Sequence, residues 1–246
     1  MKKQGIYAYA VVGNRQLKID SVFLVHYQDV TLIGKMIDIS DFQKELQEAL
    51  KNPKTMEAIL TDHQDFLDRL MKETTIVPFQ FGTILKDKEG AVDHLKSSYT
   101  KYKELLKKFK DGQEWGVRVF ADLKKFKTSI VQTNQEDTQK LSSGTAYLLG
   151  KIQEEEAEKA INEKLTLFSE EILNSLKELA LEYKVTKSAQ RFSEKGELLI
   201  SVFAFLLDRS KVKKFDQKLS DLQRKYQQFS LRLVSSGPWP AYNFVS

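Results

Sequence analysis

The sequence of 246 residues contains no cysteine, only four prolines and eleven glycines, and no long apolar run. The absence of cysteine excludes disulfides, thiol catalysis and cysteine-ligated metal sites, and it suits a reducing compartment. The scarcity of proline and glycine argues against a long flexible linker. Because a bilayer span needs about 20 consecutive apolar residues, we expect no transmembrane helix. The apolar stretch at 6–12 is interpreted as a strand rather than as part of a signal peptide.

The sequence also lacks the short motifs that mark common catalytic sites. It has no glycine-rich phosphate loop, no G-x-S-x-G and no H-E-x-x-H. Its histidines, His26, His63 and His94, are far apart and show no metal-ligand spacing. His63 falls on the apolar stripe of a predicted helix, which favours a hydrogen-bonded core or interdomain histidine over a ligand. We therefore expect no catalytic activity, no cofactor and no metal.

The sequence does contain enough apolar material for a packed core, together with a modest excess of positive charge. Apolar residues make up 41% and charged residues 30%, which excludes wholesale disorder and fits one large or two small domains. The net charge of +5 favours a solvated, lysine-rich surface, with an acidic protein partner or nucleic acid as the alternatives.

Lysines at 101–110 and 124–127 interleave with Tyr102, Phe109 and Phe126, a pattern that can bind single-stranded nucleic acid. Two of these aromatics, Tyr102 and Phe109, also fall on the predicted core stripe of a helix, which favours a structural role. A basic α+β nucleic-acid-binding adaptor therefore stays the alternative function, and it would bind oligonucleotides with a steep dependence on salt.

Hydrophobic periodicity divides the first half of the chain in the order β-β-β-α-α-β-α. The predicted elements are, in chain order, 6–12, 22–27, 30–37, 41–51, 54–72, 74–85 and 88–110. Ser40 is the expected N-cap of the first helix. Pro78 lies within the segment at 74–85 and marks an edge, a bend or a strand start, because proline cannot donate to a strand ladder.

The second half follows the order β-α-β-β-α-β, which is that of a ferredoxin-like unit. The predicted elements are 115–123, 138–182, 183–192, 198–207, 211–227 and 229–235, with a polar connection at 124–137. The sequence therefore predicts an α+β fold with two domains. Residues 1–112 form an α/β sandwich related to the ferredoxin-like domain at 113–236, and residues 237–246 form a tail that docks back on the protein.

That tail, GPWPAYNFVS, is unusually rigid and aromatic for a terminal segment. Disordered termini are normally polar and poor in aromatics. Pro238 and Pro240 fix their own φ and push the preceding residues toward extended backbone, which predicts a polyproline-like strip. Burial of its aromatic side chains is offset by the entropy of ordering the segment. We therefore expect the tail to dock along a preformed surface, either on its own N-terminal domain or on a partner.

The same segment resembles the closing signature of the gas vesicle F/L protein family, a pattern close to G-P-W-P-P-Y-x-F. Other stretches are similar to the family in the same order along the chain. They are the opening strand from Tyr7 to Val12, His63, the P-x-x-F-G-T block at 77–83 and the G-x-A-Y-L segment at 144–148. Ala241 replaces the second proline of the tail, and Gln80 stands where the family usually has a basic residue. Ala8 and Ala10 occupy a strand in which the family often has a glycine.

The resemblance implies an accessory or minor structural protein of gas vesicle assembly, cytoplasmic and associated with the vesicle. It implies two α+β domains, the second ferredoxin-like, and neither catalysis nor a cofactor. The implied partners are the small hydrophobic shell subunit and other gas vesicle accessory proteins, with no nucleic acid and no membrane. Both the F and the L role stay open.

The residues expected to contact a partner lie on the tail and on the Pro78 segment. They are Pro78, Phe79, Phe81, Pro238, Trp239, Pro240, Tyr242 and Phe244. The alternative is that the same side chains join the two domains of the chain. Shielding of the shell subunit by an apolar groove or by an exposed sheet edge is the expected mechanism.

Overall fold

The computed structural model describes residues 3–13, 22–131, 143–186 and 192–245. The turn expected after Gly13, the first residues of the helix expected at 138 and part of the strand expected at 183–192 lie outside these ranges. The chain separates into two compact units, of which unit 1 is Met1–Glu114 with Pro238–Ser246 and unit 2 is Trp115–Gly237. Each unit contains helices and one antiparallel sheet, so the α+β class is confirmed.

Unit 1 contains a five-stranded antiparallel sheet in the order β2-β3-β1-β4, with β5 also paired to β1. Its elements are β1 (Gln4–Gly13), β2 (Phe23–Tyr27), β3 (Val30–Asp38), α1 (Ile39–Ala49), α2 (Pro53–Glu73), β4 (Ile76–Pro78), β5 (Ile84–Leu85), α3 (Lys88–Ser97) and α4 (Tyr99–Lys108). The central strand β1 is buried along almost its whole length, because helices cover the sheet and α2 and α4 both contact β1.

The pairing of β1 with β3 requires a glycine at position 34. Gly34 lies opposite Ala8, next to an irregularity in the register between Ala8 and Ala10. A Cβ atom at position 34 would lie 2.6 Å from the Tyr7 carbonyl oxygen and 2.7 Å from Cγ2 of Ile6. The two strands therefore approach more closely than any residue with a side chain would allow.

Helix starts in unit 1 follow short side-chain caps. Asp38, rather than the predicted Ser40, is the N-cap of α1, since its carboxylate accepts a hydrogen bond from the backbone N–H of Asp41 at 3.0 Å. Asn52 caps α2 in the same way and is followed by Pro53 at the first helical position.

The single helix predicted at 88–110 is wrong, because the structure has two helices that meet at Ser98. The backbone of Ser98 leaves helical geometry, with φ −109° and ψ 12°. Its N–H still bonds to the His94 carbonyl, and its own carbonyl accepts from Tyr102 N–H. Ser98 therefore ends α3 and begins α4, which changes the direction of the apolar stripe without a proline or glycine.

Unit 2 contains a four-stranded sheet in the order β7-β8-β6-β9. Its elements are β6 (Gly112–Ala121), α5 (Leu123–Val131), α6 (Ser143–Lys177), β7 (Glu182–Thr186), β8 (Leu198–Asp208), a 3-10 turn (Arg209–Lys211), α7 (Val212–Gln227) and β9 (Leu231–Trp239). A second 3-10 turn (Tyr242–Phe244) follows β9. The core includes the buried stripe of α6 at Ile161, Leu165, Phe168, Ile172 and Leu176, and that of α7 at Phe215, Leu219, Leu222 and Tyr226.

The polar connection predicted at 124–137 is wrong over its first part, where the structure has helix α5. Asp122 precedes the helix, and its carboxylate accepts from the Lys125 N–H at 3.2 Å. Phe126 is completely buried in the core of unit 2. Leu123 also packs against this core, so two apolar side chains hold the short helix in place, and the lysines between and after them hide that signal in the sequence.

The end of the chain also differs from the prediction of a strand at 229–235 followed by a polyproline-like strip. Phe229 and Ser230 form a turn, with Ser230 at φ +55°, and β9 then runs through Pro238 to Trp239. A proline is tolerated there because β9 is an edge strand of its sheet. Beyond β9 the backbone folds into a 3-10 turn at Tyr242–Phe244 rather than continuing extended.

Candidate partner-binding groove

The segment after β9 is held in unit 1 by the Phe244 side chain. Phe244 is 1% exposed, and Pro240 and Ala241 are buried beside it in sequence. The ammonium group of Lys108, in the last turn of α4, lies 5.9 Å from the centre of the Phe244 ring, within the range of a cation–π contact. An aromatic ring buried to this extent fixes the segment as firmly as a core residue does.

A buried carboxylate fixes the backbone of the same segment. Glu114 is 4% exposed, and its two oxygens accept hydrogen bonds from Asn243, one from the backbone N–H at 2.9 Å and one from Nδ2 at 2.5 Å. Hydrogen bonds to an ionised acceptor are stronger than neutral ones. The pair therefore holds the 3-10 turn in one orientation and determines where its neighbour Tyr242 points.

Tyr242 packs half-buried against the aromatic core of unit 1. Its hydroxyl lies 3.5 Å from Oε1 of Gln64 on α2. Burial raises the pKa of Tyr242 well above its usual range, and nearby Tyr7, Asp68 and Glu114 raise it further. The phenol is therefore a neutral hydrogen-bond donor at any physiological pH.

Beneath Tyr242 lies a hydrogen-bonded pair formed by Tyr7 on β1 and His63 on α2. The Tyr7 hydroxyl is 2.8 Å from Nδ1 of His63, and the Gly82 N–H donates to the same hydroxyl at 3.4 Å. Burial raises the pKa of Tyr7 to about 12. Burial lowers the pKa of His63, the charge of Lys35 lowers it further, and a backbone hydrogen bond with Phe79 opposes the shift. The pair is thus neutral near pH 7, as the sequence argument for a core histidine expected.

Aromatic rings surround this pair on several sides. His63 stacks on Tyr9 with ring centres 5.6 Å apart, and the Phe81 ring meets His63 edge-on at 5.6 Å. Tyr7 makes edge contacts with Tyr9, Phe42 and Phe81. Such pairs favour fixed ring orientations. The base of the site is therefore rigid, and its polar atoms are turned inward.

Above this base the surface forms an open groove of about 740 Å³, lined mostly by apolar atoms. One side is the first half of α2, another is the loop between β4 and β5, and Tyr242 closes one end. The lining residues are Pro53, Met56, Glu57, Leu60, Thr61, His63, Gln64, Gln80, Phe81 and Tyr242. Leu60 is 42% exposed on the rim, so an apolar side chain of a partner would bury it further.

The eight predicted contact residues fall into four groups. Phe81 and Tyr242 line the groove, while Pro78, Pro240 and Phe244 are buried inside unit 1. Phe79 turns away from the groove toward His94 and Tyr102, with ring centres 5.6 Å and 6.4 Å away. Pro238 and Trp239 are exposed at the end of β9.

Sequence reasoning missed Glu114 and Leu60 as parts of the site. Glu114 is a lone carboxylate at the start of an apolar strand, which is a weak signal for a buried acceptor. Leu60 reads as one more member of the apolar stripe of α2, and only the fold shows that it lies on the rim of the groove.

The nucleic-acid alternative finds no support in the described residues. The aromatics interleaved with lysine, Tyr102, Phe109 and Phe126, are all buried and cannot stack on bases. Within the same ranges, no group of three or more histidine, aspartate or glutamate side chains could hold a metal ion. No helix of the described chain is long and apolar enough to cross a bilayer.

Residues 5–246 match the family model described as gas vesicle synthesis protein GvpL/GvpF. The match covers almost the entire chain. The protein belongs to the GvpL/GvpF family. Its role is therefore related to gas vesicles, and the resemblance seen in the sequence is confirmed.

Individual GvpF proteins are similar to this chain over nearly their full length. Gas vesicle protein F1 of Halobacterium salinarum is 21% identical over 254 aligned positions, covering 98% of this chain and 93% of that protein. The crystal structure of GvpF from Anabaena sp. PCC7120 superimposes with a TM-score of 0.71 at 20% identity, covering 99% of this chain and 96% of the other. GvpF from Microcystis aeruginosa gives 0.70 at 16% identity, covering 98% and 99%. At this identity the two structures establish the common fold.

Proposed function

We propose that this GvpL/GvpF protein is a non-catalytic accessory factor of gas vesicle assembly that binds the small hydrophobic subunit of the vesicle shell. The observation that carries the proposal is the groove in unit 1, with apolar walls and a rigid aromatic base. Two polar pairs at or beside the groove are already hydrogen-bonded, Tyr7 with Nδ1 of His63 and Glu114 with Asn243, and the exposed lining is mostly apolar. A groove of this kind selects apolar side chains, because little polar surface is left for a partner to satisfy.

In this proposal the groove shields one apolar segment of the shell subunit before that segment meets its neighbours in the wall. An extended or helical segment could insert side chains between Leu60 of α2 and Phe81 of the loop after β4. Removal of about 100 Å² of apolar surface from water is worth about 2.5 kcal/mol, so a few inserted side chains give useful affinity. Release then needs only a competing apolar surface, which the growing wall provides.

Three further assignments belong to the same proposal. Unit 2 is a ferredoxin-like domain: its elements β6, α6, β7, β8, α7 and β9 follow β-α-β-β-α-β, and the order β7-β8-β6-β9 corresponds to 2-3-1-4 in that unit. The domains are 1–112 and 113–236, with the tail at 237–246 serving unit 1. The protein works without a cofactor in the cytoplasm, on the vesicle or on its precursors, together with other gas vesicle proteins that provide buoyancy.

The experiment that tests the proposal is capture of purified shell subunit by the tagged full-length chain. Leu60→Asp places a charge on the groove rim at an exposed position, so the fold should be retained. We expect at least about tenfold weaker capture, the loss of a strong contact in an interface. Leu50→Asp is the matched control, because Leu50 is 69% exposed and does not line the groove.

Two outcomes would overturn the proposal. One is equal capture by wild type, Leu60→Asp and Leu50→Asp, and the other is no capture by the wild-type chain. Trp239→Ala separates the two roles proposed for the tail. Loss of solubility indicates a scaffold residue, whereas normal folding with failed capture indicates direct contact with the shell subunit.

A further inference from the structure

Within the described residues, β7 lies at one edge of the sheet of unit 2. In the order β7-β8-β6-β9, β7 is a terminal strand, and within the described residues it pairs only with β8. A strand at the edge of a sheet offers a row of backbone donors and acceptors to any strand that can lie beside it. Of the two edge strands in this sheet, β9 carries a proline and β7 carries none.

Three apolar side chains along this edge are strongly exposed. Leu181, which directly precedes β7, and Tyr183 and Val185 within it are 59%, 42% and 54% exposed and alternate along the chain. Tyr183 lies opposite Phe205 and Val185 opposite Phe203, so they point to the helix-covered face of the sheet. Directly opposite residues of an antiparallel pair share a face. The apolar face of the sheet therefore continues past the core to this edge, where Lys177 of α6 lies 5.9 Å from the centre of the Tyr183 ring and the three side chains stay exposed.

We propose that β7 pairs in antiparallel fashion with β7 of a second copy of this chain, joining two four-stranded sheets into one of eight strands. The proposal rests on the sequence at 181–185, Leu-Glu-Tyr-Lys-Val, which covers most of β7 and the residue before it and is complementary to itself when reversed about Tyr183. Each Glu182 then faces Lys184 of the second copy, and each Leu181 faces Val185 of the second copy. The two Tyr183 rings meet at the two-fold axis.

Neighbouring registers lack this match. Successive residues of a strand direct their hydrogen-bonding groups to opposite sides, so a symmetric pair must shift in steps of two residues. A shift one way places Lys184 opposite Lys184, and a shift the other way places Glu182 opposite Glu182. Like charges directly opposite each other destabilise a strand pair. Centring on Tyr183 is therefore the register that combines opposite charges with apolar pairs.

The charges of β7 also explain why this edge does not pair with every strand that could lie beside it. A lysine in an edge strand is a common protection against unwanted pairing. Here the protection is removed only by a strand that brings an acidic residue to the same place, as a second copy does. Glu182 and Lys184 also interact within their own chain, and the preferred register follows from the signs of their charges. Because the strand is short, we expect a weak dimer, with Kd on the order of 10–100 µM.

The test is sedimentation equilibrium of the full chain from about 1 µM to about 300 µM, a range that brackets weak interfaces. Wild type should pass from monomer to dimer. Lys184→Glu and Glu182→Lys each place like charges across both pairs, so each variant alone should dimerise about tenfold more weakly or not at all. An equimolar mixture of the two restores opposite charges and should recover a heterodimer.

Lys213→Glu is the matched control for the change of net charge, because Lys213 is exposed on α7 and away from the edge. It should dimerise like wild type. Circular dichroism spectra of all variants should coincide with that of wild type, which separates loss of pairing from loss of fold. A wild type that stays monomeric over the whole range would overturn the proposal. So would a dimer that Lys184→Glu leaves intact, or a mixture that fails to recover it.

Discussion

Two side chains in unit 1, His63 and Glu114, are ionisable and yet almost completely buried. His63 and Glu114 both lie at the base of the groove or beside it, and both are matched by a specific partner. The sequence indicated the first, because a histidine on an apolar helical stripe is usually a core residue. It gave little sign of the second, because the partner Asn243 is 129 residues away. A pair so far apart in sequence is determined by the fold alone.

The buried histidine makes stability depend on pH. Burial lowers the pKa of His63 below its ordinary 6.5, so the folded state binds the proton less readily than the unfolded chain. The stabilisation is complete above the unfolded pKa and is lost as the pH falls below it. We expect unit 1 of wild type to lose stability as the pH is lowered from 7.5, whereas His63→Gln should show a flatter dependence. Urea unfolding at a series of pH values measures this.

His94 provides an internal comparison for that experiment. Burial also lowers the pKa of His94, and its Nε2 lies 2.6 Å from the Tyr102 hydroxyl. His94→Gln should therefore remove a second part of the pH dependence of stability. The free energy of unfolding of the double variant should change less with pH than that of either single variant. If His63→Gln retained the full wild-type slope, the assignment of a neutral buried imidazole would be wrong.

The carboxylate of Glu114 is expected to determine whether the segment at 240–245 stays docked. Glu114→Ala removes two hydrogen bonds to Asn243 and should destabilise the docked segment by about 1–3 kcal/mol. Glu114→Gln keeps one hydrogen-bond acceptor and should destabilise the docked segment less than Glu114→Ala does. Hydrogen exchange of residues 240–245 followed by mass spectrometry reports the change. Glu104→Ala, on the exposed face of α4, is the control, and equal exchange in both alanine variants would contradict the role of Glu114.

At the scale of elements, the sequence predicted most helices and strands because each carries a strong apolar period. The stripes of α6 and α7 are examples, and the buried α7 residues fall where the period placed them. The break between α3 and α4 was not predictable, because Ser98 is neither proline nor glycine. Helix α5 was hidden because lysines separate Leu123 and Phe126, which both contact the core. Both failures arise where tertiary packing outweighs local preference.

The contact between β1 and β3 permits a sharp test of packing within one element pair. Gly34→Ala would place a methyl group 2.6 Å from the Tyr7 carbonyl oxygen, so the strands must separate. We expect a loss of about 1–3 kcal/mol or more, typical of overpacking in a core. Gly13→Ala, on β1 itself, has no atom within 4 Å of the new Cβ and should be neutral or slightly stabilising. Thermal unfolding of the two variants compares them directly, and similar midpoints would refute the close approach.

At the scale of the whole molecule, unit 1 is discontinuous in sequence, whereas unit 2 is one continuous stretch. Composition and periodicity predicted the α+β class and the family signature predicted the role, because both depend on local patterns. The groove itself could be predicted only in part. Phe81 and Tyr242 were named in advance, but the α2 rim that faces them follows from how the sheet and helix pack.

The discontinuity predicts that unit 1 and unit 2 respond differently to a chain ended after Gly237. Unit 1 then loses Phe244 and the partner of Glu114, and its stability should fall by at least the ~3–5 kcal/mol expected for Phe244→Ala alone. Unit 2 loses only the exposed last two residues of β9, Pro238 and Trp239, and should be little affected. The shortened chain keeps one tryptophan, Trp115, which packs against the core of unit 2 and reports its unfolding. Hydrogen exchange reports unit 1, and equal protection with and without residues 238–246 would contradict the prediction.

The position of residues 238–246 also determines the order in which the molecule can form during translation. The ribosome synthesises all of unit 2 before it reaches the residues that complete unit 1. While the ribosome is still extending the chain through unit 2, Glu114 lacks Asn243 and the site for Phe244 is empty. Premature termination even a few codons before residue 244 leaves the groove without Tyr242 properly anchored. Newly made protein thus acquires its proposed shell-binding surface only after synthesis of both units is complete.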